Sequence, residues 1–96
     1  MRADYDSRAD ALSIILRDFK YLDSEEQVDD DYCNVGFVRN VPVHVELIDP
    51  RQHLDLLGVT ADRFELDAHA LAAAAHAALA APDRVVTLDV AANVAA

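Results

Sequence analysis

Apolar and polar residues alternate in two stretches of the first half of the chain, a pattern typical of half-buried β-strands. In the first stretch Leu12, Ile14 and Leu16 face one way. In the second, Pro42, His44 and Glu46 face away from an apolar row: Val41, Val43, Val45 and Leu47. The two stretches predict two strands that each bury one face.

A third strand is predicted over residues 32–38, which are rich in β-prone residues. Between it and the strand starting at Val41, Arg39-Asn40 suits a two-residue hairpin turn, because Asn tolerates positive φ. Residues 18–31 are strongly acidic and are interpreted as a solvated connection. We therefore expect the first half to form a three-stranded antiparallel meander.

The second half changes to a helical period. Asp67 is a good N-cap for a helix that runs to about Ala81, where Pro82 stops it. At about 100° per residue, one face of this helix is apolar and the opposite face carries two histidines. The apolar face consists of Leu71, Ala75 and Leu79, and the histidines are His69 and His76.

The remaining segments complete an α+β prediction: one helix packed in two layers on an antiparallel sheet of three to four strands. Gly58 and Thr60 indicate a connector before the helix, and residues 85–90 alternate as a last strand. We expect a single domain over residues 1–96. Its parts are a β-meander (4–50), a connector with helix and final strand (51–90), and a frayed tail (91–96).

The chain has 18 acidic and 8 basic residues, a net charge of −10. This charge repels phosphate backbones and anionic membranes, so we expect no nucleic-acid or membrane binding. It would attract a basic partner, or it could serve only to keep the protein soluble. A core built largely of alanine is small, and self-association as a homodimer would relieve that limit.

Cellular location is read from the cysteine content and the amino terminus. Cys33 is the single cysteine, which excludes an intramolecular disulfide. The chain opens without the basic and apolar segments of a signal peptide. We expect a cytoplasmic protein.

Four residues are candidates for acid–base chemistry: Tyr5, Asp10, Glu46 and Asp49. Carboxylates held close together can split their pKa values and act as acid and base. The alternative is structural, since Asp commonly forms turns by bonding its own backbone and Glu46 lies on the face that is normally wet. The spacing matches no known catalytic constellation, so no catalytic residue is assigned.

The consecutive carboxylates Asp29, Asp30 and Asp31 are predicted to bind a partner. A calcium loop spaces its acids at alternate positions around a glycine, so the alternative for this run is a charged strand entry that discourages edge aggregation. Cys33 and the four histidines contain zinc-binding atoms at spacings unlike a standard zinc site, and an acidic setting disfavours a reactive thiol. The sequence predicts no metal site and no cofactor.

Three motifs carry a family resemblance: Tyr5-Asp6-x-x-x-Asp10-Ala11-Leu12-x-Ile14, Gln27-Val28-Asp29-Asp30, and Val45-Glu46-Leu47-Ile48-Asp49. The pattern resembles the small bacterial proteins of domain-of-unknown-function family 2283, over about residues 4–50. Asp31 stands where that family usually has glycine. The resemblance implies no established biochemistry, although related genes sometimes lie beside putative toxin genes.

Together these observations favour a non-enzymatic protein–protein interaction module, antitoxin-like or an accessory subunit of a larger enzyme. The alternative is a small-molecule-binding protein or small enzyme that uses the four acid–base candidates in a pocket of a homodimer. Convergence of those side chains in one concave site would favour the alternative.

Overall fold

The computed structural model describes residues 1–89. The strands are β1 (Arg2–Asp6), β2 (Ala11–Ile15), β3 (Ser24–Asp29), β4 (Cys33–Val38), β5 (Val41–Ile48) and β6 (Val85–Thr87). The helices are α1 (Asp55–Phe64) and α2 (Ala68–Ala80), and a short 3₁₀ turn spans Pro50–Gln52.

All six strands belong to one sheet, in the order β3-β4-β5-β2-β1-β6. Every neighbouring pair is antiparallel. After the β1–β2 hairpin the chain crosses to the far edge and returns through β3, β4 and β5 to lie beside β2, so β3 and β6 are the two edges.

One face of the sheet packs against the two helices and forms the core. Leu12, Ile14 and Leu47 of the sheet and Leu71 of α2 are completely buried. The helices add mainly small side chains: Ala61, Ala70, Ala74, Ala75 and Ala78. Methyl groups allow α2 to lie close to the sheet, which compensates for the small area that each alanine buries. We call the other face, which turns away from the helices, the open face.

The structure confirms the α+β class and corrects the extent of both layers. The sheet has six strands where three to four were predicted, and two helices where one was predicted. The acidic segment 18–31, predicted to be a connection, contains β3. The segment before the helix, predicted to be a connector, contains α1.

The missed elements lack the local signals of their class. In β1 only Ala3 and Tyr5 are buried, between charged residues, so the alternation is short. Strand β3 carries Glu25, Glu26 and Gln27, all exposed, which sequence reasoning assigns to loops. Helix α1 includes Gly58, a residue that costs helix stability and resembles a helix end in sequence.

The meander prediction is wrong in its strand order. Strand β2 pairs with β1 and β5, and not with β4, the strand that the predicted meander would place beside it. Pairing places Leu12 opposite Leu47 and Ile14 opposite Val45, so the buried residues of both strands form one apolar strip. Burial of this strip favours the long-range pairing over a simple meander.

Two local predictions are confirmed. Arg39 and Asn40 form the β4–β5 turn with φ of 50° and 63°, the positive values that a two-residue hairpin requires. Asp67 caps α2, and its side chain accepts a hydrogen bond of 3.1 Å from the Ala70 amide. Both features depend on neighbours in sequence, which is why the sequence predicts them.

The last strand lies at the edge beside β1 and is shorter than predicted, ending at Thr87. Val90 and the predicted frayed tail, residues 91–96, lie outside the described residues. Within residues 1–89, neither helix has the length and apolar character needed to cross a bilayer.

Candidate functional site

The open face carries a row of polar side chains across the centre of the sheet. Strand pairing aligns Asp4 of β1, Ser13 of β2, Glu46 of β5 and Asn34 of β4 side by side. All four are half-buried. They point away from the core because their neighbours in each strand are the buried residues of the helix-covered face.

A serine and a histidine meet beside this row. Ser13 Oγ and His44 Nε2 lie 2.5 Å apart. His44 pairs with Ile15, two residues along β2 from Ser13, so the two side chains are diagonal neighbours on the same face. When the ring proton is on Nδ1, the Ser13 hydroxyl donates to Nε2.

The surroundings of His44 hold its ring in place and favour its neutral form. The ring of Phe19 lies 5.9 Å from it, centroid to centroid, in a tilted arrangement. Burial lowers the pKa of His44, while nearby Glu46, Glu25 and Asp4 oppose that shift. Desolvation is the dominant cause, so His44 is neutral at physiological pH and can accept a proton.

Arg2 lies on this part of the open face. It pairs with Ile15 on the side of β2 away from His44, so it is the other diagonal neighbour of Ser13. Its Nη2 lies 2.8 Å from Asp18 Oδ1 in a partly exposed ion pair. Ser13 thus has His44 at one diagonal position, in hydrogen-bond contact, and Arg2 at the other diagonal position of the strand register.

Of the four predicted acid–base candidates, the structure joins Tyr5 and Asp10. The Tyr5 hydroxyl donates to Asp10 Oδ1 at 2.6 Å, and the guanidinium of Arg51 lies 5.1 Å from the Tyr5 ring centroid. The Asp10 carboxylate raises the pKa of Tyr5, because it favours the protonated phenol. The pair connects the β1–β2 turn to the core.

The other two candidates lie elsewhere. Asp49, with φ of 47°, donates its amide to the Asp10 carbonyl at 2.9 Å and so joins the end of β5 to the β1–β2 turn. Glu46 lies on the open face, whereas Tyr5 is buried on the opposite face. The four residues therefore do not form a single concave site within one protomer.

The acidic run forms the β3–β4 turn at the edge of the sheet. Asp29 Oδ1 accepts hydrogen bonds from the amides of Asp31 and Tyr32, at 3.0 and 3.1 Å. Asp30 and Asp31 are exposed. Asp29 thus stabilises the turn, and the other two carboxylates face solvent.

A shallow depression of about 190 Å³ lies next to this turn on the open face. Its lining includes Asp30, Asp31, Asn34 and Glu46. Asn34 Nδ2 donates to Glu25 at 2.7 Å, while its Oδ1 is buried without a hydrogen-bond partner among the described residues. The depression presents acceptor oxygens and negative charge.

The histidines and the cysteine are separated from each other. His53 stacks on Tyr32 at 3.8 Å between ring centroids, and His69 and His76 are exposed on α2. Cys33 is buried, with Sγ 3.4 Å from Thr60 Oγ1, and burial raises the pKa of its thiol. Within residues 1–89, no three His, Cys, Asp or Glu side chains are grouped to hold a metal ion.

Comparison of the chain with protein-family models, curated proteins and solved structures found no match. The functional argument below therefore depends on the geometry and charge of the described residues. The resemblance to domain-of-unknown-function family 2283 stays an expectation from the sequence motifs.

Sequence reasoning missed the proximity of Ser13 and His44. Strand alternation predicts that both lie on the wet face, since Ser13 stands between Leu12 and Ile14, and His44 between two valines. What local pattern does not encode is that β2 pairs with β5, thirty or so residues further along the chain. A search for antiparallel registers that match the two apolar faces would have found the pair.

Proposed function

We propose that the protein is a non-enzymatic interaction module that binds a basic, extended segment of a protein partner along the free edge of β3. The observation that carries this proposal is the combination of a free strand edge with a concentration of carboxylates. Among the described residues, β3 has a neighbouring strand on one side only. Its residues Ser24–Gln27 are all exposed.

Carboxylates lie on both faces of this edge. Glu25 pairs with Gly36 and faces the open side, whereas Glu26 pairs with Val35 and faces the helices. The β3–β4 turn adds Asp30 and Asp31. We call these four residues the acidic edge. A strand that adds to β3 would form main-chain hydrogen bonds and meet the negative charge of Glu25 on the open side and of Asp30 and Asp31 at the turn, which favours lysine and arginine side chains. On the helix side Glu26 lies 3.7 Å from Arg63 of α1 and is partly neutralised.

The acidic edge also disfavours pairing with a second copy through β3. Two such edges would oppose like charges, a standard way in which natural sheets avoid edge-to-edge association. A homodimer would therefore use another surface, for which the short β6 edge with its exposed Val85 is the candidate. This selectivity for a basic partner over self suits an antitoxin-like protein or an accessory subunit.

The alternative function, a carboxylate-based binder or enzyme, has less support. It needs Tyr5, Asp10, Glu46 and Asp49 in one concave site. Glu46 and Tyr5 lie on opposite faces of the sheet, and Asp10 is bonded to Tyr5. A site built from these residues would require groups from a second protomer.

The test is capture of partners from the source organism's lysate with two matched variants. The edge variant is Glu25→Gln with Glu26→Gln. The control is Asp55→Asn with Asp89→Asn, which removes equal charge from exposed positions outside β3. We expect one basic protein to be retained by wild type and control, lost by the edge variant, and released as salt rises.

Retention of the same proteins by the edge variant at every salt concentration would contradict the proposal. The captured protein is then identified by mass spectrometry and titrated into each purified variant. A weaker affinity for the edge variant alone, with unchanged circular dichroism, assigns the interaction to the acidic edge.

A further inference from the structure

Ser13 differs from the other serines of the chain, Ser7 and Ser24. The Ser7 hydroxyl donates to Asp83 Oδ2 at 2.7 Å, and Asp83 has a lowered pKa because Ser7 donates to it. Ser24 is exposed at the start of β3. Of the three serines, only Ser13 is hydrogen-bonded to an imidazole. A serine hydroxyl becomes a useful nucleophile when a neighbouring base can take its proton.

His44 has the properties that such a base requires. Its Nε2 is 2.5 Å from Ser13 Oγ, within reach for direct proton transfer. Burial keeps the ring neutral, so its lone pair is free in the tautomer protonated at Nδ1. Once the ring accepts a proton, the carboxylates of Glu46, Glu25 and Asp4 stabilise the resulting imidazolium.

The pair lies on two interior strands of the sheet. Strands β2 and β5 are both central in the sheet, and each has a neighbour on both sides. Phe19 lies against the imidazole, and Arg2 is placed on the other diagonal of Ser13. The Arg2 guanidinium lies against Asp18, and it would stabilise negative charge on a carbonyl oxygen only by reaching over from that exposed ion pair.

We propose that Ser13 and His44 form a nucleophile–base pair that accepts an acyl group from a small activated ester. Ser13 Oγ attacks the ester carbonyl carbon while its proton moves to His44 Nε2. The tetrahedral intermediate collapses, the bond to the leaving alkoxide breaks, and that group takes the proton from Nε2. The acyl group remains on Ser13 as an ester, and no oxidant or further co-reactant is needed.

The surroundings also define which esters fit. Ser13 and His44 are both half-buried, so the acyl group must be small. Asp4 and Glu46 flank Ser13 in the cross-strand row and repel anions. Neutral or cationic esters are therefore the expected acyl donors. The acidic edge is a different surface, and the proposal holds whether or not a basic partner binds there.

The experiment uses the full chain and the neutral ester p-nitrophenyl acetate. Released p-nitrophenol gives the rate, and peptide mass mapping locates the acetyl group. We expect acetylation of Ser13 to exceed that of Ser7 and Ser24 by about a hundredfold, the usual contribution of a positioned base. Ser13→Ala and His44→Gln should each reduce the rate of p-nitrophenol release to the level expected from serines without a neighbouring base. Ser7→Ala is the matched control and should keep the wild-type rate.

The pH profile of the wild-type protein gives a second readout that needs no variant. Acetylation of Ser13 should rise as His44 loses its proton, at a pH below 6.5, and then remain constant up to neutral pH. Equal labelling of all three serines, or a rate that increases tenfold per pH unit throughout as hydroxide attack would, overturns the proposal. The proposal would also be overturned if folded His44→Gln acetylates Ser13 as fast as wild type does.

Discussion

The side chain of Leu22 occupies the space that a β-carbon on Gly36 would need. A Cβ built on Gly36 would lie 2.5 Å from Leu22 Cδ1 and 3.2 Å from its Cγ. Gly36 pairs with His44 on the open face, so Leu22 of the β2–β3 connection packs over the same area as Phe19. A side chain at position 36 would therefore force the Leu22 side chain to move.

We predict that Gly36→Ala destabilises the protein by about 1–3 kcal/mol, the usual cost of overpacking. The free energy of unfolding in urea measures this. In the double variant with Leu22→Ala the added methyl group has room, so Gly36→Ala should cost much less in that background. If Gly36→Ala lowers the free energy of unfolding equally with and without the Leu22 side chain, the contact between positions 36 and 22 is not the cause.

Gly58→Ala should have the opposite effect. Gly58 lies inside α1, and a Cβ built there meets nothing within 4 Å. Replacement should stabilise the protein by about 0.5–1 kcal/mol, the difference in helix propensity between the two residues. The matched control is Ala73→Gly at an exposed position of α2, which should lose a similar amount in the same urea titration.

Stability should fall as pH decreases below the ordinary histidine pKa of 6.5. The pKa of His44 is lowered by burial, so the unfolded chain takes up a proton at a higher pH than the folded protein. The groups facing the ring are Glu46, Glu25 and Asp4. The stabilising contribution of neutral His44 is present above pH 6.5 and is lost as pH falls through the pKa of His44 in the folded protein.

The measurement is the free energy of unfolding between pH 7.5 and pH 5.5, above the range where carboxylates dominate. His44→Gln should show a weaker pH dependence than wild type. His76→Gln, at an exposed position of α2, should keep the wild-type slope. If the free energy of unfolding depends on pH equally in wild type and His44→Gln, His44 is not the cause of that dependence.

Cys33 should react slowly with thiol reagents in the folded protein. The residue is 2 % exposed, burial raises the pKa of its thiol, and Sγ is hydrogen-bonded to Thr60 Oγ1. Reaction requires local or global opening, so its rate should rise by at least on the order of a hundredfold in denaturing urea. A colorimetric thiol assay at fixed pH measures both rates, and comparable rates would show that β4 opens readily.

Three features of the fold were predicted from local sequence. The alternation around Leu12 identified β2, Arg39-Asn40 identified a hairpin turn, and Asp67 identified the start of α2. In the turn and the helix cap the stabilising contacts are made within a few residues of the chain, whereas β2 shows in sequence only which of its residues face inwards. For the turn and the helix start, local sequence therefore contains most of the information that decides the structure.

Strands β1 and β3 show where local sequence is insufficient. Ser24–Asp29 has the composition of a solvated loop and becomes a strand because β4 supplies a hydrogen-bonding edge. Arg2–Asp6 becomes a strand between β2 and β6, and β6 comes from the far end of the chain. In both, partners distant in sequence outweigh local preference.

The sequence by itself determined the α+β class, the inward faces of the strands and the acidic character of the surface. Only the tertiary structure decided that β2 lies beside β5, and hence that Ser13 meets His44 while Glu46 and Tyr5 lie on opposite faces. The physical reason is that strand order is selected by burial of apolar faces between segments far apart in the chain. That free energy belongs to the assembled sheet rather than to any one segment.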